Sequence, residues 1–92
     1  MIRSFRCADT RRLFETGKAR RCSAIATVAT RKLVQLDSAH ELRDLRSPPG
    51  NRLEALRGER AGQYSVCIND QFRICFRWTE LGPADVEIVD CH

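Results

Sequence analysis

The chain reads as an α+β domain: a mostly antiparallel β-sheet with two N-terminal helices packed on one of its faces, in the order β-α-α-β-β-β with room for one more short strand. Three observations predict this. Ile25, Val28, Ala29, Leu33 and Leu36 recur at helical spacing in the first half. From Tyr64 onward the apolar period falls to two, in "QYSVCIN" and "FRICFRW", with β-branched and aromatic residues at the alternating positions. Between the halves stands "RSPPGN", whose two prolines and glycine cannot continue a helix and make a turn.

Taken in order, Met1 to Arg6 alternates Ile2 and Ser4 with Arg3 and Phe5, which fits an edge strand. Asp9 or Thr10 is suited to cap a first helix running to about Glu15, with Leu13 and Phe14 apolar and Gly17 at the C′ position. Ser23 is the cap candidate for a second helix, about Ser23 to Ser38. "AHELRDL" offers a further helical turn, and "RLEALRG" is short. Asn69, Asp70 and Gln71 make a tight hairpin between two strands, and "LGP" separates the second of these from the last strand, "ADVEIVD".

A chain of 92 residues with 42% hydrophobic composition fits one domain, residues 1–92, with no second core, repeat or linker. At this size ~60–65% of the unfolded chain's surface is buried on folding, so a partner matters to stability. Sixteen basic residues, fourteen of them arginine, oppose twelve acids, for a net charge of +4. That balance favours a polyanionic partner. Arginine in such excess fits bidentate contacts to phosphate, and a GC-rich genome gives the same bias with no function attached. No apolar run approaches the ~20 residues that span a bilayer, and "MIRSFRCADTRR" lacks the apolar centre of a signal peptide, so no membrane partner and a cytoplasmic location are expected. The cysteines at 7, 22, 67, 75 and 91 are odd in number, irregularly spaced and without a CxxC pair, and read as free thiols with no zinc site.

Strand alternation sorts the chemistry. Phe72, Ile74, Phe76 and Trp78 share one side with Tyr64, Val66 and Ile68. Arg73, Cys75 and Arg77 share the other with Ser65, Cys67 and Asn69, giving a polar, cationic face. Two readings stay open: an ordinary solvated face of a half-buried sheet, or a phosphate-binding surface in which small neighbours of Arg73 let a nucleic-acid backbone come close. His92 has the side chain suited to proton transfer near neutrality, and a chain terminus is often inert. Asp90 stands two residues before it, and both fall in phase with Val86 and Ile88. To bring them to the polar face, the last strand is expected to end near Val89 and the tail to turn. Glu54 is either a base or a surface charge. Arg57 and Arg60, in "LRGER", either meet a phosphate or decorate a solvated turn, and His40 reads as surface. Neither a Gly-rich phosphate loop, a Ser-His-Asp order nor a metal-ligand cluster is present, so no cofactor is expected.

"RLEALRGERAGQYSVCINDQFRICFRW", the ending "DVEIVDCH" and the opening "MIRSFR" resemble the HigB-type, plasmid-maintenance-killer branch of the RelE/ParE toxin superfamily, over nearly the whole chain. The resemblance implies a fold like that of small microbial ribonucleases. It implies the toxin of a type II toxin–antitoxin pair, a ribosome-dependent endoribonuclease that cuts messenger RNA in the ribosomal A site. It also implies a HigA-like helix-turn-helix antitoxin, through which alone the toxin meets operator DNA. The chemistry implied is metal-free: a base takes the 2′-hydroxyl proton, a cation stabilises the phosphorane and an acid protonates the leaving 5′-oxygen. By position Arg73 matches the family's phosphate-binding arginine, Asp90 its acidic residue near the terminus, and His92 the histidine of its "DYH" ending. Asn69 falls in the same motif and shapes the hairpin or touches RNA, and Arg57, Arg60 and Arg77 are candidate phosphate contacts.

The chain departs from the family in three places. Cys91 replaces a tyrosine on which a base stacks. Glu54 and Arg57 stand in "LEALRG" where some members have "LHPLKG", so a carboxylate replaces a histidine. Cys67 stands where relatives often place another arginine. The alternative function is therefore a non-catalytic binder, either a ParE-like gyrase inhibitor or a weakened toxin acting mainly through its antitoxin complex.

Overall fold

Helix α1 (Ala8–Thr16) opens the computed structural model, which describes residues 1–18, 25–46 and 51–90. Asp9 and Thr10, the expected caps, lie inside this helix, and Cys7 occupies the N-cap with no side-chain cap bond. The reason is tertiary. Thr10 is buried, and its hydroxyl oxygen accepts the Ile88 N–H at 3.1 Å, so it is committed to the sheet. Asp9 remains in the first turn, where its charge suits the positive end of the helix. Gly17 takes the left-handed conformation expected of it (φ 74°) and donates its N–H to the Leu13 carbonyl at 2.8 Å.

Helix α2 (Ala26–Ser38) ends where its periodicity predicts. Ser23, the expected cap, lies outside the described residues, and the described helix starts at Ala26 because Ile25 is held in the core with non-helical backbone (φ −108°, ψ 3°). Ala29, Leu33 and Leu36 turn inward. The "AHELRDL" stretch supplies a 3₁₀ turn, Leu42–Arg46, in which Asp44 Oδ2 accepts the N–H groups of His40 (3.1 Å) and Glu41 (3.0 Å). His40 itself is exposed, as read.

Four antiparallel strands follow: β1 (Glu54–Ala55), β2 (Gln63–Cys67), β3 (Phe72–Thr79) and β4 (Gly82–Asp90), side by side in that order. The short additional strand is β1. The N-terminal segment makes a single parallel bridge, Phe5 to Val86, in place of a full strand. It still covers the outer edge of β4: the N–H groups of Arg3 and Arg6 donate to Pro83 (2.7 Å) and Val86 (3.0 Å), and the Val86 N–H donates to Ser4 (3.1 Å). Thr10 continues this protection to Ile88, and an otherwise open edge is closed.

The core lies between helices and sheet. Leu13, Leu33 and Leu36 from the helices and Leu45 from the 3₁₀ turn meet Val66, Ile74, Phe76 and Val86. Asn51, fully buried, donates to the Leu45 carbonyl (3.1 Å) and Gln35 Oε1 (3.2 Å), and its own oxygen accepts Lys32 Nζ, which fastens the loop before β1 to α2.

Two turns refine the expected pattern. At the β2–β3 hairpin Asn69 Oδ1 accepts the N–H groups of Gln71 and Phe72, both at 2.8 Å. Asn69 therefore belongs to the turn and not to the strand face with the arginines. At the next turn only Glu80 and Leu81 lie between strands, and Gly82 and Pro83 are already in β4. The Met1 carbonyl oxygen lies 2.3 Å from where a Cβ on Gly82 would sit, so this position admits only glycine without a backbone shift. A bulge between Cys75 and Arg77 adjusts the β3–β4 register, and Asp85 adopts φ 52° beside it.

Candidate functional site

Alternation turns Arg73, Cys75 and Arg77 away from the helices, and the ladder register assembles their face. Glu54 stands opposite Ser65, Ser65 opposite Cys75, and Cys75 opposite Glu87, a single row crossing all four strands. At ~4.8 Å per strand the two carboxylates at its ends stem from backbones about 14 Å apart. A second row, Cys67, Arg73 and Val89, runs beside it.

Two arginine–glutamate bridges cross this row in opposite directions. Arg73 reaches back from β3 to β1, where NH1 donates to Glu54 Oε2 at 2.7 Å and lies 3.5 Å from Ser65 Oγ. Arg60, from the 3₁₀ turn Gly58–Arg60, reaches forward over β3, where NH1 donates to Glu87 Oε1 at 2.7 Å and to Gln63 Oε1 at 3.1 Å. Beneath them Ser65 and Cys75 are almost completely buried, at 0% and 2% exposure. The small residues beside Arg73 thus form a sealed floor, and the arginines and carboxylates are what face outward.

The pairing corrects the expectation of a cationic face. Arg77 also has a carboxylate at hand, Asp85 Oδ2 at 3.3 Å. Among the described residues three arginines of this face are matched with three acids, so much of its positive charge is paired while guanidinium groups stay on display. The bridges differ in strength of hold. The Arg73 and Glu54 side chains are 36% and 56% exposed, so water screens their pairing and a competing anion displaces it readily. Glu87 is 15% exposed and grips Arg60 (38% exposed) under better shielding.

The remaining candidates are distributed unevenly. Glu54 and Arg73 come together, and Arg60 joins them on the same face. Arg77 flanks them at the bulge, and Arg57 is exposed at the start of the 3₁₀ turn. Asn69 stabilises the hairpin. Strand β4 ends at Asp90, one residue past the expected end near Val89, and the expected turn of the tail falls outside the described residues. The register sets Asp90 opposite Phe72, on the parity of Ile74 and Ile88, with Gln71 Nε2 donating to it at 3.3 Å. It lies beside the hairpin turn on the parity opposite that of Arg73. His92 and Cys91 lie outside the described residues. Cys7 and Cys67 are free thiols, and Cys22 lies outside the described residues. Glu87 was missed in the reading of single motifs. Its signal is the parity of "DVEIVD": with Val86 and Ile88 inward, Glu87 must share the arginine side.

A family model described as the RelE-like toxin of the type II toxin–antitoxin system HigB matches residues 3–92. Toxin HigB-1 of Vibrio cholerae serotype O1 (strain ATCC 39315 / El Tor Inaba N16961) is 43% identical over 70 residues, which are 76% of this chain and 73% of that protein. An uncharacterized protein of Haemophilus influenzae (strain ATCC 51907 / DSM 11121 / KW20 / Rd) is 36% identical over 56 residues, 61% of this chain and 55% of that protein.

Proposed function

The chain belongs to the HigB family of RelE-like toxins of type II toxin–antitoxin systems, and from that premise we propose that it is a ribosome-dependent endoribonuclease that cuts messenger RNA in the A site and is silenced by a helix-turn-helix antitoxin. The observation that carries this reading is the Arg73–Glu54 pair on the open sheet face: a guanidinium and a carboxylate 2.7 Å apart, both accessible, over a sealed floor.

The chemistry needs no metal. The 2′-oxygen attacks the adjacent phosphorus as Glu54 takes its proton, and the bond from phosphorus to the 5′-oxygen breaks as His92 supplies a proton to the leaving oxygen. A 2′,3′-cyclic phosphate and a 5′-hydroxyl result. Arg73 leaves Glu54 to hold the scissile phosphate, forming stronger charge-assisted bonds as charge builds on the phosphorane. The exchange also releases the carboxylate to act as the base. Arg57 and Arg77 contact flanking phosphates.

The test is primer extension on a reporter messenger in a reconstituted translation system, with parent and Arg73→Ala, with and without ribosomes. Cuts that require both ribosome and Arg73 are expected. Full-length messenger from folded parent protein would instead support a binder that acts through its antitoxin complex. Supercoiling inhibition of gyrase under the same conditions would place the chain with ParE-like inhibitors.

A further inference from the structure

Resting on that reading, we propose that Arg60 and Glu87 form a second phosphate-binding subsite on the same face, in which Glu87 is a positioning residue that holds Arg60 over the sheet for the messenger backbone. Arg60 comes from a three-residue 3₁₀ turn, and an arginine on such a turn would ordinarily sample many rotamers. Here its guanidinium is fixed at two points from two different strands, Gln63 on β2 and Glu87 on β4, and so lies across β3. Glu87 is the fitting anchor because it is shielded, lies directly opposite the buried Cys75, and belongs to the longest strand. The Arg60 side chain keeps 38% of its surface exposed, on the sheet face it shares with Arg73.

The geometry separates the roles of two similar bridges. Glu54, more than half exposed, is built to let go of its arginine. Glu87, mostly covered, is built to keep hold. A phosphate reaching Arg60 therefore adds to the Glu87 contact and does not replace it, and the binding energy is not offset by a broken ion pair. Arg60 crosses β3 to reach Glu87 and Arg73 reaches back from β3 to Glu54, so both arginines act on one face of the sheet.

The sign of one substitution decides the matter. Glu87 is an acid beside the path of a polyanion, so if it merely neutralised the face, its removal would tighten binding. A positioning residue gives the opposite result. Binding to messenger-programmed ribosomes is measured over a salt series for parent, Arg73→Ala, Arg60→Ala, Glu87→Ala, Glu87→Gln and the Arg60→Ala/Glu87→Ala double variant, with thermal melting to confirm that each is folded.

Arg60→Ala and Glu87→Ala are each expected to weaken binding roughly tenfold and to lower the salt slope by about one phosphate. The double variant should be no weaker than Arg60→Ala alone, and Glu87→Gln, which still accepts the guanidinium N–H, should recover part of the loss. Tighter or unchanged binding by folded Glu87→Ala, with Arg73→Ala still weakened, overturns the subsite and leaves the nuclease reading standing. Parent binding that is insensitive to Arg73→Ala overturns both.

Discussion

Arg73 and Thr10 show how differently two single side chains contribute. Arg73 carries chemistry on an exposed pair, and such pairs contribute about 0–1 kcal/mol to stability. Arg73→Ala is therefore expected to leave the melting temperature within a few degrees of the parent while lowering messenger cleavage by roughly 10²–10³-fold, the scale of losing one transition-state donor. A similar loss in Glu54→Gln would support its role as base, and unchanged cleavage would remove it from the mechanism. Thr10 carries architecture. Thr10→Val keeps the shape but leaves the Ile88 N–H without its 3.1 Å acceptor, at a cost of about 1–3 kcal/mol. For a domain of this size each kcal/mol lowers the melting temperature by roughly 4–8 °C. Calorimetry showing no shift in Thr10→Val would mean that the β4 edge finds another partner.

At the scale of elements the β2–β3 hairpin puts the sequence motif to a structural use. Asn69 holds two turn N–H groups, so Asn69→Ala is expected to cost about 1 kcal/mol and to leave cleavage within about threefold of the parent at a temperature where the variant is folded. Asn69→Asp retains the acceptor and should keep the stability. If it instead keeps stability but loses cleavage, Asn69 meets the RNA after all. The strands were legible because a period of two, with Phe72, Ile74 and Phe76 against Arg73, Cys75 and Arg77, has one packing solution. The first-helix cap was not legible: Thr10 is drawn off by Ile88, 78 residues away, and no local pattern reports such a contact. The site divides in the same way. The face of Arg73 follows from parity, whereas its pairing with Glu54 and that of Arg60 with Glu87 span 19 and 27 residues and needed the register.

At the scale of the whole molecule, charge acts in two opposed ways on folding and in one way on binding. The chain carries a net +4, and its like charges repel in the compact state, a strain that salt relieves. The Arg73–Glu54, Arg60–Glu87 and Arg77–Asp85 pairs pull the other way, since salt screens partly exposed attractions as well. Each pair is worth at most about 1 kcal/mol at such exposure, and the two effects nearly cancel. Between roughly 50 and 200 mM salt the melting temperature is therefore expected to move by no more than about 3 °C. Ribosome binding has no such compensation. Every phosphate neutralised by Arg73, Arg60, Arg57 or Arg77 releases counterions, so about four contacts to single-stranded RNA should give a log–log slope near −3 and a loss of roughly 50-fold or more over the same interval. Melting and binding followed on one preparation across that series test the separation directly. A steep fall in melting temperature would show that the face pairs hold the fold together, and binding indifferent to salt would show that the arginines keep their own carboxylates and never reach a phosphate.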